Sequence, residues 1–227
     1  MKRSKKYIEA QKLITAGKKY TLVEAFSLLP KISITKFAGS INFQIYLNLN
    51  EKQKKEIIRG SFTPPYPFGK AIKILVLADK TEQEKAKNAD FFGGEDLVKE
   101  IEAGKTDFDL VITTPMMMPK IAKLGKILGT KGLMPNPKNG TITTDLTATI
   151  LKFKKGLKNF KSENGIITSV VGKTDMTVED LTKNSTEFLR VVSNETKKLG
   201  QNAFKSMFVI PTMGPKIMLD INNVLSK

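Results

Sequence analysis

The stretch from Thr113 to Thr141, TTPMMMPKIAKLGKILGTKGLMPNPKNGT, concentrates residue types that can bind phosphate groups. It holds five lysines and four glycines but no acidic residue. Lysine supplies positive charge, and glycine lets backbone amides come close to a ligand. A phosphate-binding loop, a membrane-active helix and an RNA-facing lobe all use such residues, so spacing and context must decide among them.

The spacing of this stretch disfavours a nucleotide-binding loop. The G-x-x-x-x-G-K-[ST] pattern places lysine directly after its last glycine and a hydroxyl residue next. Gly125, Gly129 and Gly132 never give that pattern, and Gly69-Lys70 is followed by alanine. No G-x-G-x-x-G run occurs either. A nucleoside triphosphatase is therefore disfavoured.

Side chains that commonly catalyse reactions are scarce in this chain. It has no histidine and no cysteine, which removes the commonest general base, thiolate nucleophiles and the usual metal ligands. Paired carboxylates occur at Asp107 and Asp109 and at Glu179 and Asp180, where loop ends and helix starts carry such residues anyway. We expect no enzymatic activity, no cofactor, no metal and no small-molecule substrate.

The charge balance indicates an anionic partner. The chain has 38 basic and 22 acidic residues among 227, a net charge of +16, which favours nucleic acid. Residues 70–160 hold 16 basic and 11 acidic side chains and the remainder holds 22 and 11. The main nucleic-acid surface is therefore expected outside residues 70–160. No apolar run is long enough to cross a bilayer, so we expect no membrane partner.

Helical patterning opens the chain. Residues 5–29 predict two helices separated at Gly17. Thr21 and Glu24 have the spacing of a capping box, and Pro30 is the predicted end of the second helix. From Ser40 onwards, strict alternation of apolar and polar residues predicts a long strand with one buried face.

A proline-rich stretch then separates two kinds of patterning. The segment SFTPPYPFGK at 61–70 cannot continue a helix or a central strand, and it predicts a domain boundary. Beyond it the sequence predicts buried strands at 71–78 and 108–115 and helices at 81–89, 95–102 and 145–155. After Gly156 it predicts strands at 165–172, 204–214 and 216–221 and a helix at 176–199.

These elements predict a combination of the α+β and α/β classes in two domains. Domain I is discontinuous, consists of residues 1–67 and 159–227, and is an α+β domain with the main nucleic-acid surface. Domain II is an inserted, Rossmann-like α/β domain at residues 68–158.

Short motifs lie along the chain in a distinctive order. They are Met-Met-Pro at 117–119, Lys-Leu-Gly at 123–125, LGTKGLMPNPK at 128–138, Gly-Thr at 140–141, SVVGK at 169–173 and Thr-Met-Gly-Pro at 212–215. In this combination the whole chain resembles the L-one family, the stalk proteins of the large ribosomal subunit. The glycine- and lysine-rich stretch is similar to the signature segment of that family's second domain.

The resemblance implies a structural constituent of the large ribosomal subunit that binds large-subunit ribosomal RNA and forms the mobile stalk beside the tRNA exit site. The implied ribosomal RNA contacts are Lys36, Phe37 and Ser40 on the first strand, Thr168, Gly172 and Lys173 near the returning strand, and Thr212, Met213 and Gly214 at the last turn. The second-domain signature is carried by Lys123, Lys126, Lys131, Met134, Asn136 and Lys138.

The resemblance also implies further partners and a location. Exit-site tRNA is one partner, and the protein's own messenger RNA is another, which would make the protein a translational repressor. The implied location is the ribosome in a bacterial cytoplasm or in an organelle of bacterial descent. The alternative is a free RNA-binding translational regulator that is not a permanent part of the ribosome.

Three departures from the family pattern bear on these expectations. Ser40 stands where threonine is usual, which keeps the hydroxyl group. Thr130 replaces a proline in the signature segment, which predicts a looser loop. The prolines of PPYPFGK at 64–70 replace glycines and predict a stiffer crossing between the domains.

Overall fold

The computed structural model describes residues 4–15, 17–49, 57–79, 82, 86, 88–103, 107–197 and 203–225. Helices and two separate sheets confirm the predicted mixture of α and β structure. The chain forms two compact units: unit 1 consists of residues 1–69 and 158–227, and unit 2 consists of residues 70–157. That the units are independent domains stays a prediction.

The helices are α1 (Lys5–Lys12), α2 (Leu22–Ile32), α3 (Glu95–Glu102), α4 (Met118–Ile121), α5 (Gly125–Thr130), α6 (Leu146–Lys154), α7 (Val178–Thr196) and α8 (Ile221–Leu225). The strands are β1 (Ser40–Leu47), β2 (Arg59–Phe62), β3 (Ile74–Leu77), β4 (Phe91–Gly93), β5 (Leu110–Thr113), β6 (Lys158–Glu163), β7 (Ile166–Lys173), β8 (Phe204–Pro211) and β9 (Ile217–Met218).

Helix α2 begins as its sequence predicts but ends later. Thr21 Oγ1 accepts a hydrogen bond from the Glu24 N–H at 3.3 Å, and Glu24 Oε2 accepts one from the Thr21 N–H at 3.0 Å, which confirms the capping box. The bond from the Thr21 N–H is the main reason why the pKa of Glu24 is lowered. The predicted end at Pro30 is wrong, because α2 continues to the fully buried Ile32. Burial of this last apolar turn outweighs the hydrogen bond that proline cannot donate.

Unit 1 is built on an antiparallel sheet in the order β2-β6-β7-β1-β8-β9. The alternation predicted for β1 is confirmed: Ile41, Phe43, Ile45 and Leu47 are buried, and the residues between them are half-buried. Residues of α2 and α7 share one apolar core with this buried face. At its centre, the Phe188 ring lies 5.0–5.8 Å from three phenylalanine rings.

The last predicted strand, at 216–221, is shorter than expected. Strand β9 spans Ile217 and Met218, and the Leu219 N–H makes one more hydrogen bond to β8, to the Met207 carbonyl at 2.9 Å. The chain then turns because the Asp220 carboxylate accepts a hydrogen bond from the Asn222 N–H at 3.2 Å, at the start of α8. An aspartate at a helix start stabilises the helix over a continued strand.

Unit 2 is built on a parallel sheet in the order β4-β3-β5. All four residues of β3 are buried, and they alternate between two apolar clusters. One cluster holds Leu75 and Leu77 with residues of α3, α4 and α5, and the other holds Ile74 and Val76 with residues of α6. The predicted helix at 95–102 is confirmed as α3, whereas most of the predicted helix at 81–89 lies outside the described residues.

Candidate nucleic-acid interface

The strand register brings most of the predicted RNA contacts to one end of the unit 1 sheet. Strand β1 is antiparallel to both β7 and β8, so its first residues lie beside the last residues of both neighbours. Ser40 pairs with Lys173, and Ile41 pairs with Gly172 and with Pro211. The turn at 212–214 follows directly. We call this end of the sheet, with residues 36–40, 172–174 and 211–214, the strand-end surface.

The turn at 212–214 is held in an unusual conformation. The Thr212 hydroxyl and N–H both donate to the Ser40 carbonyl, at 2.8 and 2.9 Å. The Gly214 N–H donates to the Pro211 carbonyl at 3.0 Å. Met213 between them has a φ of 67° and is 73% exposed. A left-handed conformation costs a side-chain-bearing residue about 1–2 kcal/mol, and such outliers cluster at functional sites.

Lys36 and Phe37 were predicted to lie on the first strand, and this placement is wrong. Strand β1 begins at Ser40, so both residues precede it. They form a bend in which the Thr35 hydroxyl donates to the Phe37 carbonyl at 3.1 Å. Phe37 is 65% exposed although phenylalanine is usually buried. An exposed aromatic ring beside a lysine suits stacking on a base.

The segment before β1 is tied to the end of β7. The Gly39 N–H donates to the Thr174 hydroxyl at 3.0 Å, and the Thr174 N–H donates to the Gly39 carbonyl at 2.9 Å. These bonds fix the spacing between the bend at Lys36 and Phe37 and the backbone beside Lys173. The strand-end surface therefore has a defined shape before any ligand arrives.

A groove of about 390 Å³ extends this surface along the polar face of the sheet. It brings together three predicted contacts: Ser40, Thr168 and Lys173. The rest of its lining is Asn42, Phe68, Gly69, Lys158, Asn159, Ser169 and Val170. Thr168 itself pairs with Gln44, four positions along β1 from Ser40, so the groove and not the strand end connects Thr168 to the site.

In unit 2 the signature segment separates into a buried side and a cationic side. Met117, Ile121, Leu124 and Leu128 are fully buried, whereas Lys120, Lys123, Lys126 and Lys131 are exposed. A 3-10 turn at Ala122–Leu124 separates α4 from α5. Neighbouring methionines also lie on opposite sides of the segment: Met116 is 80% exposed, whereas Met117 is 1% exposed.

Threonine hydroxyls make hydrogen bonds to the backbone both in the last turn of α5 and in the loop after it. The Thr130 hydroxyl donates to the Lys126 and Ile127 carbonyls, each at 3.0 Å. Further on, the Thr141 hydroxyl accepts from the Asn136 N–H at 2.7 Å and donates to the Asn136 carbonyl at 3.0 Å. The Thr130 bonds lie within α5 itself, so the looser loop expected from Thr130 stays a prediction. The Lys138 side chain lies outside the described part of the structure.

Comparison with known proteins decides the family. The model of the Ribosomal protein L1p/L10e family matches residues 29–215 of this chain. The chain belongs to this family. The resemblance seen in the motifs is thereby confirmed, and as a member of this ribosomal protein family the chain is a structural protein and not an enzyme.

Three relatives are similar to this chain over most of its length. The chain is 39% identical to the "Large ribosomal subunit protein uL1" of Kosmotoga olearia, covering 99% of both chains. It is 37% identical to the protein of the same name from Mycoplasma genitalium, covering 97% of this chain and 98% of that one. It is 40% identical to "Large ribosomal subunit protein uL1c" of Trieres chinensis, covering 88% and 89%.

Gly172 has a packing role that its L1-family motif does not reveal. It is buried, and a Cβ at this position would overlap Leu181 on α7 and lie 3.0 Å from the Met176 sulfur. Glycine at 172 therefore lets α7 pack closely against β7. A direct RNA contact at Gly172 stays a prediction. Met134 likewise packs, half-buried, against the apolar cluster under α4 and α5.

Seven lining residues of the groove were not among the predicted contacts: Asn42, Phe68, Gly69, Lys158, Asn159, Ser169 and Val170. Asn42 carried a usable signal, because period-two alternation places it on the same face as Ser40. Phe68 and Lys158 are distant in sequence, yet the Lys158 ammonium lies 5.5 Å from the centre of the Phe68 ring. Only the tertiary structure of this L1-family chain brings that pair together.

Two other kinds of site find no support within the described residues. No helix there is long and apolar enough to cross a membrane. No group of three or more acidic side chains in the same residues is placed to hold a metal ion.

Proposed function

We propose that this L1-family protein is a constituent of the large ribosomal subunit that binds large-subunit ribosomal RNA through the strand-end surface and adjoining groove of unit 1. Bound in this way, it forms the mobile stalk beside the tRNA exit site. The observation that carries the proposal is the convergence of exposed Phe37, exposed Met213 and Lys173 around Ser40. These residues come from three segments far apart in sequence.

The chemistry of this surface suits folded RNA better than a regular duplex. Hydroxyl groups of Ser40 and Thr168 can contact ribose and phosphate oxygens, and Phe37 can stack on an unpaired base. Lys173 adds one positive charge at the strand end. A surface with few charges and a fixed outline recognises shape, while the net charge of +16 supplies attraction without sequence preference.

Family membership extends the proposal to two further RNAs. Exit-site tRNA is a partner of the stalk, and the protein's own messenger RNA is a partner in translational repression. The relatives named above are large-subunit proteins, which supports a ribosome-bound location in the cytoplasm.

Affinity across a salt series tests the proposal. The stalk fragment of large-subunit ribosomal RNA is compared with a scrambled hairpin of equal length by filter binding, from about 50 to 200 mM salt. We expect both affinities to fall with salt while the preference for the stalk fragment persists at about 100-fold or more. Equal affinities that collapse together would show that charge alone drives binding and would refute specific recognition.

Two single variants, each lacking one lysine of a different unit, distinguish binding at the proposed site from attraction by the net charge of the chain. Lys173→Gln is expected to weaken stalk binding about threefold to tenfold and to lower the slope of log affinity against log salt by about one. Lys123→Gln removes the same charge from unit 2 and is expected to leave both quantities nearly unchanged. A larger loss in Lys123→Gln would place the main RNA surface on unit 2 instead.

A further inference from the structure

One stretch of this basic chain is acidic. Residues 95–109, EDLVKEIEAGKTDFD, hold six acidic and two basic side chains, whereas the whole chain carries +16. The described acidic side chains in this stretch are all exposed: Asp96, Glu100, Glu102, Asp107 and Asp109. A surface of this sign repels phosphates, so it does not extend an RNA site.

An apolar groove opens beside these carboxylates in unit 2. Its volume is about 210 Å³. Five apolar side chains and two acidic ones line it: Leu75, Phe91, Leu97, Ile101 and Phe108, with Glu100 and Asp107. Phe91 belongs to β4, an outer strand of the unit 2 sheet, and is 42% exposed. The groove thus offers an uncovered aromatic side chain within an acidic surrounding.

The size of the groove restricts its ligand. Sites for cofactors and drug-sized molecules measure about 300–1,000 Å³, and this groove is smaller. It has room for a single apolar side chain, which is how anchor residues of protein interfaces are bound. The acidic residues on its lining would then face whatever flanks that anchor, and lysine or arginine is the complementary choice.

We propose that this groove binds a short basic segment of another protein, in which one large apolar residue is flanked by lysines or arginines. The anchor packs on Phe91, Leu97 and Phe108, and the flanking cations pair with Glu100 and Asp107. The existing ion pair between Asp107 and Lys73, at 3.0 Å, is exposed on both sides and therefore weak. An incoming cation can share that carboxylate at little cost. This inference adds a protein partner to the proposed RNA-binding function and does not depend on it.

Labelled peptides test the proposal on the full chain. Fluorescence anisotropy compares Lys-Lys-Ala-Phe-Lys-Lys with Lys-Lys-Ala-Ala-Lys-Lys, which has the same charge but no anchor, and with Glu-Glu-Ala-Phe-Glu-Glu. We expect the first peptide to bind at least tenfold more tightly than either of the others. Equal binding of the two lysine peptides would overturn the anchor and with it the proposal.

A charge-reversal pair locates the binding. Glu100→Lys is expected to weaken binding of the first peptide at least tenfold. Glu195→Lys makes the same change at an exposed position of unit 1 and is expected to have no effect. Both positions are exposed, so folding is retained, which circular dichroism verifies. Equal affinities in the two variants would exclude the groove, and Glu100-dependent self-association in sedimentation would identify a second copy of this chain as the occupant instead.

Discussion

Met213→Asp is expected to weaken binding of the stalk ribosomal RNA fragment by about 2–3 kcal/mol, roughly 30- to 150-fold. Met213 projects from the strand-end surface, 73% exposed. A carboxylate there would stand against RNA phosphates and would be desolvated on binding. The charge effect should also make the loss larger at low salt than at high salt. The measurement is the dissociation constant for the stalk fragment at two salt concentrations.

The backbone of Met213 supplies a matched control. Its φ of 67° is a conformation that asparagine and aspartate adopt more readily than methionine. Met213→Asn therefore retains the turn, loses the same apolar side chain and adds no charge. We expect it to cost less than a third of the free energy lost in Met213→Asp. If both variants bound like the unaltered protein while remaining folded, the turn would lie outside the RNA site.

Local features of this fold could be predicted from the sequence. The capping box at Thr21 and Glu24 and the alternation of β1 depend on neighbours within a few residues, where spacing determines which groups meet. The end of α2 could not be predicted, because α2 continues past Pro30 to Ile32, which is fully buried in the core of unit 1. Tertiary packing overrode a local signal at that position.

The candidate site also combines features that the sequence predicts with features that only the tertiary structure shows. Lys36, Phe37 and Met213 were predicted from motifs, but their proximity follows from the register of β1 between β7 and β8. The positive φ at Met213 and the Lys158–Phe68 pair have no sequence signal at all. Motifs were enough to propose these residues as contacts, whereas the surface that they form required the fold.

The proline-rich crossing segment is fastened to unit 1 by a buried amide. Asn184 on α7 is fully buried. Its side-chain oxygen accepts from the Tyr66 N–H at 2.9 Å, and its nitrogen donates to the Tyr66 and Val171 carbonyls at 2.9 and 3.0 Å. Lys183 adds a hydrogen bond to the Tyr66 hydroxyl at 3.0 Å, which raises the pKa of Lys183. Side-chain hydrogen bonds thus hold Tyr66 on α7 within unit 1, whereas the stiffness expected from the prolines stays a prediction.

Asn184→Ala is expected to lower the free energy of unfolding by about 2–4 kcal/mol, because the Tyr66 N–H and the Tyr66 and Val171 carbonyls lose the partner that the fully buried Asn184 provides. Urea denaturation measures this loss. Hydrogen exchange at the Tyr66 amide should accelerate by about tenfold or more, because the variant removes the side-chain oxygen that accepts the hydrogen bond from this amide.

The adjacent residue on α7 gives the control for this prediction. The Ser185 hydroxyl is fully buried and has no hydrogen-bond partner among the described residues. Ser185→Ala is therefore expected to be neutral or to stabilise by up to about 1 kcal/mol. The two variants shorten buried polar side chains in the same helix, so they differ mainly in the bonds lost. Equal destabilisation would mean that the volume removed matters and that the amide does not fasten the crossing segment. A loss confined to Asn184→Ala, with faster exchange at Tyr66, would assign the fastening to that side chain.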